Sequence, residues 1–311
     1  MGEGEVVPAV GNAASAGSCE FQVWPSDLQI HEWTVLNSSM LTRSKNTGSP
    51  NGERAGVRNG KKILSPRLQF EWVDAVTDEQ WTTYRDAIQA LRAAGIRFLL
   101  GGGFALATYI GRWRNTKDID FYIMQADRDK AVEALTKAGF ADYFSQLPYD
   151  RKWIYRSTRD GVIVDIIWAM ANQRAQADEQ WFERAPAATV RGEALRVVPM
   201  EEFLWCKLYI MQRDHCDWTD VFNLLYAAGQ ELDWEHLLER LEEDRPLLKG
   251  LLTVYGWLCP EQARELPGWL REELDLPELE EPMERRRDHV RLLDSRGWFA
   301  ALLPKNKPLE V

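Results

Sequence analysis

A glycine-rich segment followed by a pair of acidic residues decides the fold: Leu100-Gly101-Gly102-Gly103, then Thr116-Lys117-Asp118-Ile119-Asp120-Phe121-Tyr122-Ile123. Residues two positions apart in a β-strand project from the same face, so the carboxylates of Asp118 and Asp120 are expected to converge. Converging carboxylates repel each other unless a cation lies between them, and Mg²⁺ prefers oxygen ligands. The pair therefore predicts a metal site.

A third acidic residue, Asp165, interrupts an apolar segment further along the chain. Residues 153–168 are typical of two strands joined at Asp160-Gly161, a dipeptide favoured in hairpin turns. An unpaired carboxylate in a buried strand is costly, so Asp165 needs compensation. Either a metal ion or a cationic neighbour across the hairpin, such as Arg156, would provide it.

The same residues resemble the nucleotidyltransferase superfamily with the DNA polymerase β-type fold: Gly102, Gly103, Asp118, Asp120 and Asp165. The resemblance covers residues 94–229 and is greatest to the bacterial branch that includes the AbiEii and MenT-type toxins. It implies transfer of a nucleoside monophosphate from an NTP such as ATP to a hydroxyl acceptor. Two Mg²⁺ ions would be held by the three aspartates, which would be both the metal ligands and the catalytic residues.

The resemblance leaves the acceptor open among a tRNA end, a protein and a small molecule, and it implies an antitoxin-like partner. It also implies that further residues contact the NTP: Gly102, Gly103, Lys117, Lys207 and Arg213. The glycines would let the chain approach the triphosphate, ahead of a helix over 104–111 whose N-terminus favours anions.

Lys207 would point at the triphosphate, and Arg213 would fix its helix through Asp217 or Asp220. The toxin-like pattern has a second lysine where this chain has Cys216. Judged from the residues alone, Lys207 could equally extend to solvent. Arg213 and Asp217 would then form an ordinary i,i+4 surface pair.

Two other enzyme classes use similar motifs, and both fit the spacing poorly. The dinucleotide-binding fingerprint would need a third glycine where the chain has Leu106. A sugar-nucleotide glycosyltransferase would place a sizeable nucleotide-binding unit before the Asp-x-Asp motif, whereas here the first predicted core strand is 96–100. A binding module on the nucleotidyltransferase fold that has lost turnover is the alternative to an enzyme.

Composition limits the partners and the compartment. The 38 basic and 48 acidic residues give a net charge of −10, which disfavours extended contact with nucleic-acid phosphates. The four cysteines are far apart in sequence and predict neither a zinc site nor disulfides. No apolar run reaches the ~18 residues of a membrane span. We therefore expect a soluble cytoplasmic protein without membrane contact.

Three regions are predicted along the chain. Residues 1–67 are basic and poor in apolar side chains, and are expected to be disordered. An RNA-holding arm and a translation start at Met40 or later are the alternatives. Residues 68–198 are predicted to be an α+β catalytic domain around a small mixed sheet, and 199–311 a helical domain. Within the helical region, one helix is expected over 201–220.

Overall fold

The computed structural model describes residues 75–113, 116–212, 215–279 and 289. The predictions for the tail over 1–67, for Arg213 and for most of 280–311 lie outside the described residues.

The central sheet of the described residues has five strands: β1 (Phe98–Leu100), β2 (Asp118–Ile123), β3 (Ala141–Asp142), β4 (Ile154–Arg159) and β5 (Val162–Ile167). Their order is β1-β2-β5-β4-β3. The β2 and β5 strands are parallel, and the other three pairings are antiparallel. This mixed sheet confirms the predicted α+β class. The β3 strand was not predicted, because two residues are too few to show an alternating pattern.

The two central strands bury one face and leave acidic residues on the other. Ile119, Phe121 and Ile123 alternate along β2 and are fully buried. Asp118 and Asp120 project from the opposite face, as the period of two requires. The hairpin of β4 and β5 turns at Asp160-Gly161 as predicted, with positive φ at both residues.

Two helices cover the buried face of the sheet, α1 (Asp78–Ala93) and α3 (Arg128–Lys137). Helix α1 starts with a capping box, in which the Gln80 N–H donates to Thr77 Oγ1 at 3.2 Å. The Thr77 N–H in turn donates to Gln80 Oε1 at 3.1 Å. Buried residues of both helices contribute to one apolar cluster with the sheet.

A second apolar cluster joins α2 (Gly102–Ile110) to the C-terminal helices. Along the chain, α4 (Glu179–Arg184) and a hairpin of β6 (Ala187–Val190) and β7 (Glu193–Arg196) precede these C-terminal helices. The helical region then contains α5 (Met200–Leu208), α6 (Trp218–Ala228), α7 (Trp234–Leu241), α8 (Arg245–Leu258), α9 (Pro260–Ala263) and α10 (Gly268–Glu273). Among these described helices, none is long and apolar enough to cross a membrane.

The predicted single helix over 201–220 is wrong, because the chain leaves the helix after Leu208 and re-enters one at Trp218. The connecting segment folds back on itself through a bridge between Met211 and Cys216. The bridge gives backbone groups the partners that a continuing helix would have supplied. The interpretation of Arg213 and Asp217 as a helical i,i+4 pair stays a prediction, because Arg213 lies outside the described residues.

Candidate active site

The three predicted aspartates lie together. Carboxylate oxygens of Asp118, Asp120 and Asp165 all lie within 4.8 Å of one another. The strand register explains this convergence, because Asp120 is the partner of Asp165 in the parallel pairing of β2 and β5. Residues in register on neighbouring strands project from the same face of a sheet.

Gly102 packs directly against this cluster. A Cβ added at Gly102 would lie 1.7 Å from Oδ2 of Asp120, and the φ of Gly102 is +53°. The position therefore needs glycine both for its backbone conformation and for the carboxylate beside it. Helix α2 begins at Gly102, two residues earlier than predicted, and so directs its N-terminus at the aspartates.

We expect Gly102→Ala to destabilise the fold more than the same change at Gly192. An alanine at positive φ costs ~1–2 kcal/mol, and at Gly102 the new methyl group must also displace Asp120. Gly192 has φ +85°, but an added Cβ meets none of the described atoms within 4 Å. Urea unfolding of both variants measures the difference, and equal losses would show that Asp120 moves aside freely.

Burial and mutual repulsion raise the pKa values of two of the carboxyl groups. Burial raises the pKa of Asp120 well above its usual range, and the charges of Asp118 and Asp165 raise it further. Lys207 and Arg156 oppose this effect without cancelling it. Burial also raises the pKa of Asp165, to about 6, against the hydrogen bonds from Arg156. Ionising all three carboxyl groups together is therefore costly in these protein surroundings.

Arg156 is a member of the cluster. Its Nε donates to Oδ1 of Asp165 at 2.9 Å, and its Nη2 donates to Oδ2 of Asp165 at 2.5 Å. The same Nη2 lies 3.6 Å from Oδ2 of Asp118. The cationic partner considered for Asp165 is therefore present, and it shares the site with all three aspartates.

Two further residues of the site were missed in the sequence. Thr116 donates its hydroxyl hydrogen to Oδ1 of Asp118 at 2.6 Å. Burial raises the pKa of Tyr84, and the charges of Asp118 and Asp120 raise it further. Thr116 lies two residues before Asp118, so its position in the sequence could have indicated a role in the site. Tyr84 lies on the buried face of α1, and nothing in the sequence indicated that it is near the aspartates.

Lys207 does not extend to solvent. Its ammonium group contacts Oδ2 of Asp217 and lies 3.1 Å from Oδ2 of Asp220. Only 12% of the Lys207 side chain is exposed. The positive charge of Lys207 lowers the pKa of Asp120, so it acts on the aspartate cluster. The aspartates that the resemblance assigned to Arg213 are thus partners of Lys207 itself.

The other residues predicted to contact the NTP are Gly103, Lys117 and Arg213, and they differ in where they lie relative to the aspartate cluster. Gly103 is buried in the first turn of α2, where an added Cβ would lie 3.1 Å from Cβ of Thr116. Lys117 is exposed at the start of β2, beside Asp118. Arg213 falls outside the described residues.

Comparison with known proteins identifies the family. Residues 67–255 match the model of a family described as uncharacterised nucleotidyltransferases. The match covers more than half of the chain, so the protein belongs to this nucleotidyltransferase family. A comparison with curated proteins gave no match.

Several solved structures are similar to the chain at low identity. The antibiotic-resistance factor ANT(2'')-Ia shares 17% identity at a TM-score of 0.39, over 56% of this chain and 95% of that one. The lincosamide antibiotic adenylyltransferase LnuA shares 14% at 0.35, over 48% and 96%. The Thermotoga maritima CCA-adding enzyme, solved with tRNA, shares 14% at 0.32, over 69% and 54%. Likeness at this level does not indicate a substrate.

Proposed function

We propose that the protein is a Mg²⁺-dependent enzyme that transfers a nucleoside monophosphate from an NTP to a hydroxyl acceptor. The observation that carries the proposal is the convergence of Asp118, Asp120 and Asp165 within 4.8 Å. In a member of a nucleotidyltransferase family, such a cluster is the natural place for the divalent cations that accompany triphosphates.

The donor set fits Mg²⁺ by its chemistry. All the ligand atoms are carboxylate oxygens, and burial together with the charges of Asp118 and Asp165 raises the pKa of Asp120, a cost of ionisation that a bound cation would offset. Asp118 and Asp120 are partly exposed, which leaves room for a cation that arrives with its waters and the nucleotide phosphates. When bound, two such ions would neutralise the phosphates and lower the pKa of the acceptor hydroxyl.

The protein's own groups would bind and orient the triphosphate. The N-terminus of α2 favours negative charge beside Asp120. Lys207, a nearly buried cation paired with Asp217 and Asp220, lies close enough for its charge to act on Asp120. We keep Lys117 and Arg213 as further NTP contacts, and Gly103 as the residue that lets α2 begin close to the phosphates. Asp165, the most buried of the three aspartates, would orient the acceptor hydroxyl or accept its proton.

Membership of the AbiEii and MenT-type branch is part of the proposal. Its support is the arrangement of Lys207 with Asp217 and Asp220, which joins two helices beside the acidic cluster. On this view residues 68–198 form the catalytic domain, and the helical region over 199–311 contributes Lys207. The acceptor would be an RNA end, a protein or a small hydroxylated molecule, and a toxin-like role in the cytoplasm would add an antitoxin partner.

The test is to incubate the pure protein with Mg²⁺, a total cell extract and NTPs labelled at either the α or the γ phosphate. Nucleotidyl transfer puts the α label, and not the γ label, into one fraction, and EDTA abolishes it. An Asp118→Asn protein serves as the control for contaminating enzymes. Transfer of the γ label would indicate a kinase and contradict the proposal.

A binding module without turnover is the second candidate, and the Arg156 contact favours it. An arginine that already compensates Asp165 allows the aspartates to persist without a metal ion. Such a module would bind NTP in a filter assay while neither label moved to any fraction. That outcome would replace the enzyme proposal.

A further inference from the structure

Both oxygens of Asp165 are already engaged by Arg156. Nε of Arg156 lies 2.9 Å from Oδ1 and 3.1 Å from Oδ2, and Nη2 lies 2.5 Å from Oδ2. The Asp165 side chain is 1% exposed, so water cannot replace the arginine. Arginine and a divalent cation therefore compete for the same carboxylate.

Within the part of the chain that the structure describes, the other two aspartates are not engaged in this way. Nη2 of Arg156 is 3.6 Å from Oδ2 of Asp118, beyond hydrogen-bond distance. Among the described residues, the hydrogen-bond partner of Asp118 Oδ1 is the uncharged hydroxyl of Thr116. As far as the described residues show, Asp118 and Asp120 form a half of the cluster that is open to a cation, and Asp165 forms a half that is occupied by Arg156.

Hydrogen bonds hold the backbone of Arg156 in place, while its side chain can move away from Asp165 into solvent. The Arg156 N–H donates to the Tyr149 hydroxyl at 3.0 Å, and β4 pairs with β5 on its other edge. The side chain is 30% exposed, so the guanidinium can withdraw into solvent without moving the strand. Arginine rotamers interconvert far faster than strands rearrange.

We propose that Arg156 acts as an internal counter-ion that competes with the metal ion for Asp165 and so sets the order in which the site fills. The first cation binds at Asp118 and Asp120. A second cation reaches Asp165 only when Arg156 withdraws. Without nucleotide, Arg156 keeps the buried Asp165 compensated and in place. The inference rests on the metal site of the proposed function and adds a positioning residue to it.

The experiment is a Mn²⁺ titration of the full chain without NTP, followed by electron paramagnetic resonance of the free ion. Wild type should bind one Mn²⁺ per chain. Arg156→Met should bind a second ion, or bind the first at least tenfold more tightly. The matched control is Arg159→Met on the same strand, which removes the pair with Asp86 at 2.6 Å and should bind as wild type does. Wild-type binding by Arg156→Met would overturn the inference.

Thermal unfolding provides a readout that does not depend on binding stoichiometry. Arg156→Met leaves the buried Asp165 unpaired, so its melting temperature should fall and Mn²⁺ should restore it. The loss in Arg159→Met should be insensitive to Mn²⁺. If Arg156→Met does not fold without metal, refolding it with Mn²⁺ should succeed, and failure in both conditions would count against the competition.

The inference and the proposed function can fail separately. If wild type and Arg156→Met bind Mn²⁺ equally, Arg156 does not compete, and the metal site itself stands. If neither protein binds Mn²⁺, with or without NTP, the metal site of the proposed function is wrong and the inference falls with it. A double variant, Arg156→Met with Asp165→Asn, should lose the extra Mn²⁺ and so locate it at Asp165.

Discussion

The Asp120→Asn protein should lose nucleotidyl transfer by ~10³-fold or more, since several kcal/mol of transition-state charge stabilisation depend on a charged metal ligand. The asparagine keeps the shape that fits beside Gly102 and removes one of the mutually repelling charges. Its melting temperature in metal-free buffer should therefore equal or exceed that of wild type. Transfer of the α label and differential scanning fluorimetry measure the two effects.

The matched control for this variant is Asp129→Asn, which changes a carboxylate that is 86% exposed and pairs with its neighbour Arg128. It should leave both activity and melting temperature unchanged. Wild-type activity in Asp120→Asn would show that the aspartates are structural. A lower melting temperature would show that Asp120 is stabilised as an ion by its surroundings.

The Lys207→Met protein should be destabilised by ~3–5 kcal/mol, because the change removes a nearly buried cation that pairs with both Asp217 and Asp220. The side chains of both aspartates are 8% exposed. If Lys207 also binds the triphosphate, the apparent affinity for NTP should fall under conditions in which the variant is folded. Urea unfolding and NTP titration separate the two roles.

Lys249→Met is the control for the loss of a lysine–aspartate pair. Lys249 and Asp275 are 41% and 95% exposed, so this pair contributes at most ~1 kcal/mol. The double variant Lys207→Met with Asp217→Asn also removes the negative charge of one aspartate, so it should recover part of the stability that Lys207→Met loses. If Lys207→Met is as stable as Lys249→Met, the buried aspartates have other adequate partners.

The acidic cluster was predictable because β-strands impose a simple rule. A period of two places Asp118 and Asp120 on one face, and an Asp-Gly turn fixes the hairpin register that sets Arg156 opposite Asp165. The capping box at Thr77 likewise depends on residues four positions apart or fewer. Local rules of this kind predicted the sheet and the candidate metal site.

Other features depend on contacts between distant segments. No glycine or proline marks the break after Leu208, and the chain leaves the helix where the fold can bring Asp217 and Asp220 onto Lys207. The β3 strand exists because β4 offers it an edge. That Arg156 is part of the cluster, and not simply a structural partner of Asp165, depends on the pairing of β5 with β2. Such tertiary arrangements have no periodic signal in the sequence.

The central claim is that the three aspartates hold divalent cations, and a crystal grown with Mn²⁺ and a non-hydrolysable NTP analogue tests it most directly. We expect anomalous density within ~2.2 Å of carboxylate oxygens of Asp118 and Asp120, with the triphosphate on the same ion. An analogue bound with no anomalous peak among Asp118, Asp120 and Asp165 would contradict it.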